Sequence, residues 1–181
     1  GAVQATHHGF TAPVDALELA DGRVVALEAG TGAISLVEAA AAPDAKPKAL
    51  VTGLGFPVAM AEAADGKLYV TESATGSLTR VDLATGEITR VKDGLASPEG
   101  VDVGADGRVY VAEAAAGRLI AFNPADNSVV TIAEGLKTGL PAAEGTLPAY
   151  TATGVAVSDN GSIYVASDIT NAIYKVTPSA N

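Results

Sequence analysis

The sequence contains no cysteine and no tryptophan among its 181 residues. Without cysteine, the chain has no disulfide, no thiolate nucleophile and no cysteine-ligated zinc or iron–sulfur site. It also lacks long apolar runs, because Asp-Gly pairs interrupt each one, and this excludes an apolar stretch long enough to cross a membrane as a helix. With 48% hydrophobic and 18% charged residues, the composition is that of a globular protein with a core.

Basic residues are scarce, since 11 Lys and Arg stand against 21 Asp and Glu and give a net charge of −10. Such a field repels phosphate backbones and anionic lipid surfaces, so we expect neither a nucleic-acid partner nor membrane insertion. The chain begins at Gly1 without a methionine or an apolar signal core. Processing after export is our preferred interpretation and predicts an extracellular or periplasmic protein; a cut at this point explains the same start equally well.

Four segments of the chain resemble one another, and each contains an Asp-Gly or Asn-Gly pair followed by a β-branched and aromatic run. They read ADGRVVALEAGTG, ADGKLYVTESATG, ADGRVYVAEAAAG and DNGSIYVASDITN. Their turn residues, 44, 41 and 54 residues apart, are Asp21, Asp65, Asp106 and Asn160. Glycine in these pairs supplies the positive φ that tight hairpins require, so each segment predicts a β-hairpin.

The second unit is the clearest and shows four short strands within about 40 residues, a length typical of propeller blades. After its Asp-Gly hairpin, SLTRVD and EITRV flank the turn Ala84-Thr85-Gly86. We therefore predict an all-β fold, a β-propeller of four-stranded antiparallel blades in one domain over residues 1–181. A β-sandwich is the alternative, but it would show cleaner in–out alternation and less regular repetition.

The predicted units cover residues 9–54, 55–95, 96–150 and 151–181. The last unit supplies only three strands, and residues 2–6 (AVQAT) are a candidate for its missing outer strand, which would close a small ring. The alternative is that these four blades are part of a larger ring, with the remaining blades from another chain or a removed segment. The sequence leaves both open.

A long connector, Lys137–Tyr150, precedes the innermost strand of the fourth unit. Function in repeat folds concentrates on such insertions. We therefore predict that Lys137, Glu144 and Tyr150 contact a ligand or a protein partner.

Two of the units, ASPEGVDVGADGRVYVAEAAAGRLIAF and ATGVAVSDNGSIYVASDITNAIYKV, resemble NHL-type blades and those of gluconolactonase-like and strictosidine-synthase-like propellers. The resemblance to gluconolactonases implies a divalent metal, Ca²⁺ or a similar ion, in the central channel. Its ligands would match positions Val14, Val58, Glu99 and Thr153, of which only Glu99 carries a carboxylate. Glu99 is accordingly the candidate metal ligand.

Further acidic residues lie on or beside the predicted innermost strands, where they would line the channel. Asp15 and Asp102, together with the hydroxyl of Thr153, are candidates for binding a ligand or partner there. Glu72 and Glu113, each at the end of a second strand, are expected to be structural and to accept hydrogen bonds from the following turn.

Because no convergent catalytic set is evident, the favoured function is a non-catalytic NHL-like binding or scaffold module, in complex with a protein partner or with blades from another chain. The alternative is a gluconolactonase-like metal-dependent hydrolase or lyase with its site in the channel.

Overall fold

A computed structural model describes residues 1–3, 5–38, 45–139 and 153–178. These residues form fifteen β-strands and one short 3-10 helix, Ala114–Ala116. The strands are β1 (Pro13–Glu18), β2 (Val24–Glu28), β3 (Ala33–Val37), β4 (Lys48–Thr52), β5 (Pro57–Glu62), β6 (Leu68–Glu72), β7 (Ser77–Asp82), β8 (Glu87–Lys92), β9 (Pro98–Val103), β10 (Val109–Glu113), β11 (Arg118–Asn123), β12 (Ser128–Glu134), β13 (Val155–Val157), β14 (Ile163–Ser167) and β15 (Ala172–Val176).

The strands form four antiparallel sheets in chain order, β1–β4, β5–β8, β9–β12 and β13–β15. We call these sheets blades 1 to 4; each lies within one of the predicted repeat units. Blades 1 to 3 have four strands and blade 4 has three. The all-β propeller prediction is confirmed, with four blades arranged side by side.

The Asp-Gly and Asn-Gly turns join the inner strand of each blade to its second strand. In blade 2, Asp65 accepts a hydrogen bond from the backbone N–H of Lys67 (3.1 Å), and Gly66 adopts a φ of +74°. The same two features recur in the other blades, at Asp21–Gly22, Asp106–Gly107 and Asn160–Gly161. The side-chain acceptor and the positive φ together fix a tight hairpin. The Asp-Gly and Asn-Gly dipeptides therefore mark the position of this hairpin in each blade.

Each blade has two faces, and we call the face toward the preceding blade its leading face and the face toward the following blade its trailing face. Three apolar clusters fill the three spaces between consecutive blades. Between blades 2 and 3, the rings of Tyr69 and Phe122 are tilted by 58° with centroids 6.4 Å apart, a favourable aromatic arrangement. Consecutive blades therefore share a core, as blade faces that are apolar on both sides require.

The first and last blades have no comparable contact with each other. Among the described residues, the inner strand β5 packs extensively on β1, β9 on β5 and β13 on β9, whereas β13–β15 have no contact of that extent with β1–β4. The four blades thus form an open arc.

The ring-closing strand predicted over residues 2–6 includes residue 4, which lies outside the described part of the chain. Residues 2, 3, 5 and 6 are assigned to no strand, and β15 has no outer neighbour among the described strands. The chain that follows contacts blade 1, where Thr11 N–H donates to the Glu28 carboxylate (2.6 Å) and Ala29 N–H donates to the Ala12 carbonyl (3.0 Å). No helix in the part of the chain described is both long and apolar enough to cross a membrane.

Candidate functional site

The inner strands of all four blades surround one groove of about 500 Å³. Its walls combine backbone, small apolar side chains and a few carboxylates. Representative lining residues, at least one from each blade, are Asp15, Val58, Glu62, Gly100, Asp102 and Gly154. This groove corresponds to the central channel that the sequence predicts for a propeller, and its carboxylates are the first candidates for chemistry.

Asp15 and Asp102 both lie beside the groove, and each links its own blade to the next one. Asp15 accepts hydrogen bonds from the N–H of Ala16 (2.8 Å) and, across the blade boundary, from that of Met60 (2.9 Å). Asp102 accepts hydrogen bonds from the N–H of Val103 (2.8 Å) and, across the next blade boundary, from that of Val157 (2.7 Å). An inner strand has an edge whose backbone donors lack a strand partner, so these carboxylates satisfy groups that would otherwise be unpaired.

Glu62 and Glu99 form two more links of this kind. The Glu62 carboxylate accepts from the N–H of Ala20 in blade 1 (2.7 Å), and the Glu99 carboxylate accepts from that of Thr153, just before β13 (2.7 Å). Asp15, Glu62, Glu99 and Asp102 thus each receive a backbone N–H from an adjacent blade. They build the groove wall as hydrogen-bond acceptors.

At the upper end of the arc, where the inner strands begin, Glu99 lies near Asp168 at the boundary of blades 3 and 4. Burial raises the pKa of Glu99, and the negative charge of Asp168 raises it further, against the lowering effect of the hydrogen bond from the Thr153 N–H. Asp168 itself accepts from the N–H of Gly139 (2.9 Å). Beside them, Thr153 Oγ1 is buried without a hydrogen-bond partner among the described residues. We call Glu99, Asp168 and Thr153 the upper-end cluster; it adjoins the groove through Thr153.

The upper-end cluster falls short of a hard-cation site. Calcium takes six to eight oxygen ligands, whereas the positions equivalent to Glu99 in blades 1 and 2 are the apolar Val14 and Val58. No group of three or more His, Asp or Glu side chains suited to a metal occurs among the described residues. The described residues do not fit the metal that the gluconolactonase resemblance implies.

Of the predicted connector residues, only Lys137 belongs to the described part of the chain; Glu144 and Tyr150 lie outside it. The Lys137 side chain is exposed, while its backbone is fixed on blade 4. Its N–H donates to the Tyr174 hydroxyl (3.2 Å), and its carbonyl accepts from the Ser167 hydroxyl. Lys137 therefore presents a cation at the upper end of the arc, at the boundary of blades 3 and 4.

The glutamates at the ends of the second strands have a different partner from the one predicted. Glu28, Glu72 and Glu113 are buried, and each accepts an N–H from the loop 17 residues earlier that leads into the inner strand, rather than from the following turn. A third-strand side chain also donates to each of them, from Ser35, Thr79 and Arg118. The sequence hides this role, because a backbone N–H donor leaves no signature in residue type.

Replacing Asp102 with alanine is expected to lower the free energy of unfolding by about 1–3 kcal/mol, because two backbone donors lose their acceptor. Urea unfolding of the variant measures this change. Asp159→Ala is the matched control, since Asp159 is an exposed turn residue. If Asp102→Ala lowers the free energy of unfolding no more than the control does, the link between blades 3 and 4 contributes nothing to stability.

The raised pKa of Glu99 predicts a pH dependence of stability. Above the ordinary pKa of 4.5, the folded state holds a proton on Glu99 that the unfolded state has released, so stability contributed by this group falls as pH rises through that window. Glu99→Gln removes the titration while its amide oxygen remains able to accept from Thr153 N–H. The variant should therefore gain stability relative to wild type as the pH rises above 4.5, as measured by urea midpoints; a difference that does not change with pH would contradict the prediction.

With fold and groove established, the class of protein is clear: the chain has the β-propeller fold. No protein family model matches the sequence, and no curated protein matches it. Solved structures do match. Nidogen from a nidogen/laminin complex aligns with a TM-score of 0.70 at 15% identity, over 90% of this chain and 59% of nidogen.

Two bacterial enzymes share the fold at similar distance. A gluconolactonase from Xanthomonas campestris, XC5397, aligns with a TM-score of 0.66 at 20% identity, over 92% of this chain and 62% of the enzyme. Virginiamycin B lyase from Staphylococcus aureus aligns with a TM-score of 0.61 at 15% identity, over 94% of this chain and 57% of the lyase. The chain thus spans a little over half the length of these propellers, and the likeness concerns the fold.

Proposed function

We propose that this chain is a non-catalytic, NHL-like binding module whose groove and upper-end connectors contact a protein partner. The observation that carries the proposal is the use of the inner-strand carboxylates: Asp15, Glu62, Glu99 and Asp102 all accept backbone N–H groups from a neighbouring blade. A carboxylate that accepts such a bond holds the wall in place, which gives it a structural role in the fold.

The surface left for recognition is the groove itself together with the exposed Lys137 side chain. Nidogen, which shares the fold, has been solved in a complex with laminin, so a propeller of this kind can serve as a protein-binding platform. A protein partner would offer acidic groups to Lys137 and a convex segment to the groove. An extracellular or periplasmic location accompanies this proposal, and fractionation of the native cells tests it.

Filling the groove tests the proposal most directly. Gly154 lines the groove, and a Cβ added there would meet only the Ala166 Cβ, at 4.0 Å, so Gly154→Trp should fold. Partners would be cross-linked to the wild-type chain in its native extract and identified by mass spectrometry. We expect the purified partner to lose at least tenfold in affinity for Gly154→Trp and to bind Ala84→Trp normally, because Ala84 lies in an exposed outer turn.

Equal binding of the partner to both tryptophan variants would overturn the groove as its site. Lys137→Glu provides a second arm, since charge reversal at an interface rim lowers the association rate and its salt dependence. A strictly monomeric wild-type chain that turns over a substrate would overturn the binding-module proposal altogether.

The second candidate function is a gluconolactonase-like hydrolase or lyase, favoured by the raised pKa of Glu99 beside Asp168 and by the unpartnered Thr153 hydroxyl. It would need further ligands, because the described residues do not complete a calcium site. Thermal melting with added calcium or magnesium, together with lactone hydrolysis, tests it in wild type and Glu99→Gln. A melting temperature unaffected by either ion, with equal or absent hydrolysis in both proteins, ends this candidate.

A further inference from the structure

The trailing face of blade 4 carries core residues that are exposed to solvent. Ile173 on β15 occupies the same position in its blade as Ile34, Leu78 and Leu119 in theirs, by strand pairing and sequence register. Those three side chains are completely buried against the following blade, whereas Ile173 is 65% exposed. An isoleucine thus occupies this interface position in blade 4, although no blade of the described chain covers it.

Tyr164 repeats the pattern next to Ile173. Its equivalents, Tyr69 and Tyr110, are 3% and 4% exposed, whereas Tyr164 is 36% exposed. A cationic side chain accompanies it, because Lys175 Nζ lies 5.8 Å from the Tyr164 ring centre, and Arg80 pairs with Tyr69 at the same position in blade 2. The trailing face of blade 4 therefore has the composition of a blade–blade interface.

A complementary face exists at the other end of the arc. On the leading face of blade 1, Val24 is only half-buried, although its equivalents Leu68, Val109 and Ile163 are fully buried by the preceding blade. Ala16 and Glu18 on the inner strand of this face are exposed. Glu18 gives this face an exposed acidic group, which complements Lys175 on the trailing face of blade 4.

We propose that the trailing face of blade 4 binds the leading face of blade 1 of a second copy of this chain, so that two arcs join head to tail into one ring. The proposed contact continues the three blade–blade interfaces already present, with the same faces and the same repeat positions. It goes beyond the proposed binding function and does not depend on it.

The repeat positions support a second copy as the occupant. Ile173 matches residues that pack on a following blade, and Val24 matches residues that pack on a preceding blade. Two arcs of four blades give eight, within the four to eight blades that propellers use. The groove would then become a closed channel, with a second set of Asp15, Glu62 and Asp102 on its opposite wall.

Sedimentation equilibrium tests the proposal on the whole chain. Wild type should show twice the chain mass of 17.9 kDa, and Ile173→Asp should show the single mass with an unchanged circular dichroism spectrum. Ile88→Asp is the matched control, since Ile88 is also an exposed isoleucine but lies on the outer strand of blade 2, and it should remain double. A wild type that sediments as a monomer at micromolar concentrations, or an Ile173→Asp protein that remains double, overturns the proposal.

The absence of native cysteine allows the orientation to be tested separately. Ile173→Cys and Val24→Cys chains, mixed after separate purification and treated with a short bismaleimide, should give a cross-linked dimer that neither variant gives alone. Cross-linking of Ile173→Cys to itself would indicate a face-to-face dimer and would overturn the head-to-tail ring. A monomer that captures a different chain through this face would likewise overturn it.

Discussion

Replacing Glu72 with alanine is expected to lower the free energy of unfolding by about 2–5 kcal/mol, because a buried hydroxyl and a partly buried backbone N–H lose their carboxylate acceptor. The Glu72 carboxylate accepts from the Gly55 N–H at the start of blade 2 and from the Thr79 hydroxyl on β7. It thus joins the loop before the inner strand to the third strand of the same blade. Urea unfolding followed by circular dichroism measures the loss.

Two further variants separate the effect of the lost acceptor from the effect of the lost charge and from that of removing an exposed glutamate. Glu72→Gln keeps an acceptor oxygen of the same reach and removes the charge, so its loss should be smaller than that of Glu72→Ala. Glu87→Ala removes an exposed glutamate on the outer strand of the same blade and should change stability by no more than about 0.5 kcal/mol. Equal losses for Glu72→Ala and Glu87→Ala would contradict the structural role assigned to Glu72.

Replacing Gly76 with alanine is expected to destabilise the chain by about 3 kcal/mol, from backbone strain and a steric clash together. Gly76 has a φ of +62°, and an added Cβ would lie 2.6 Å from the Leu95 carbonyl oxygen. Relief would require the Leu95 segment to move, although the Leu95 N–H donates to the Gly76 carbonyl (2.9 Å). Thermal and urea unfolding measure the effect.

Gly66→Ala is the control that isolates the clash. Gly66 has a similar φ of +74° but open space where the Cβ would be, so only the conformational cost of about 1 kcal/mol should appear. If the two alanine variants are equally stable, the close approach of Leu95 to Gly76 is not a constraint on the fold.

The blades could be predicted from sequence because their determinants are local. The Asp-Gly pairs, the β-branched runs and the tyrosine at a fixed position all lie within one hairpin, so a repeat of about 40 residues reveals them. The fourth strand of blade 1, Lys48–Thr52, was predictable in the same way. Closure of the ring could not be predicted in this way, because pairing between the first and last segments of a chain depends on packing that no local pattern encodes.

The groove was only partly predictable. Sequence places Asp15, Glu99 and Asp102 on inner strands, but it cannot show that their acceptors face backbone donors of another blade, since any residue type supplies a backbone N–H. The proximity of Asp168 to Glu99 was likewise hidden, because it arises from packing of blade 4 on blade 3. Carboxylates that resemble candidate ligands in the sequence therefore became inter-blade links in the structure.

Amide hydrogen exchange at Met60, Thr153 and Val157 tests these links most directly. These N–H groups donate to Asp15, Glu99 and Asp102 from edges of the inner strands that no other strand pairs with. The structure predicts slow exchange at all three in wild type and selective loss of protection at Val157 in Asp102→Ala. Exchange at unprotected rates in the wild-type protein would show that the groove carboxylates are free, and would contradict the account.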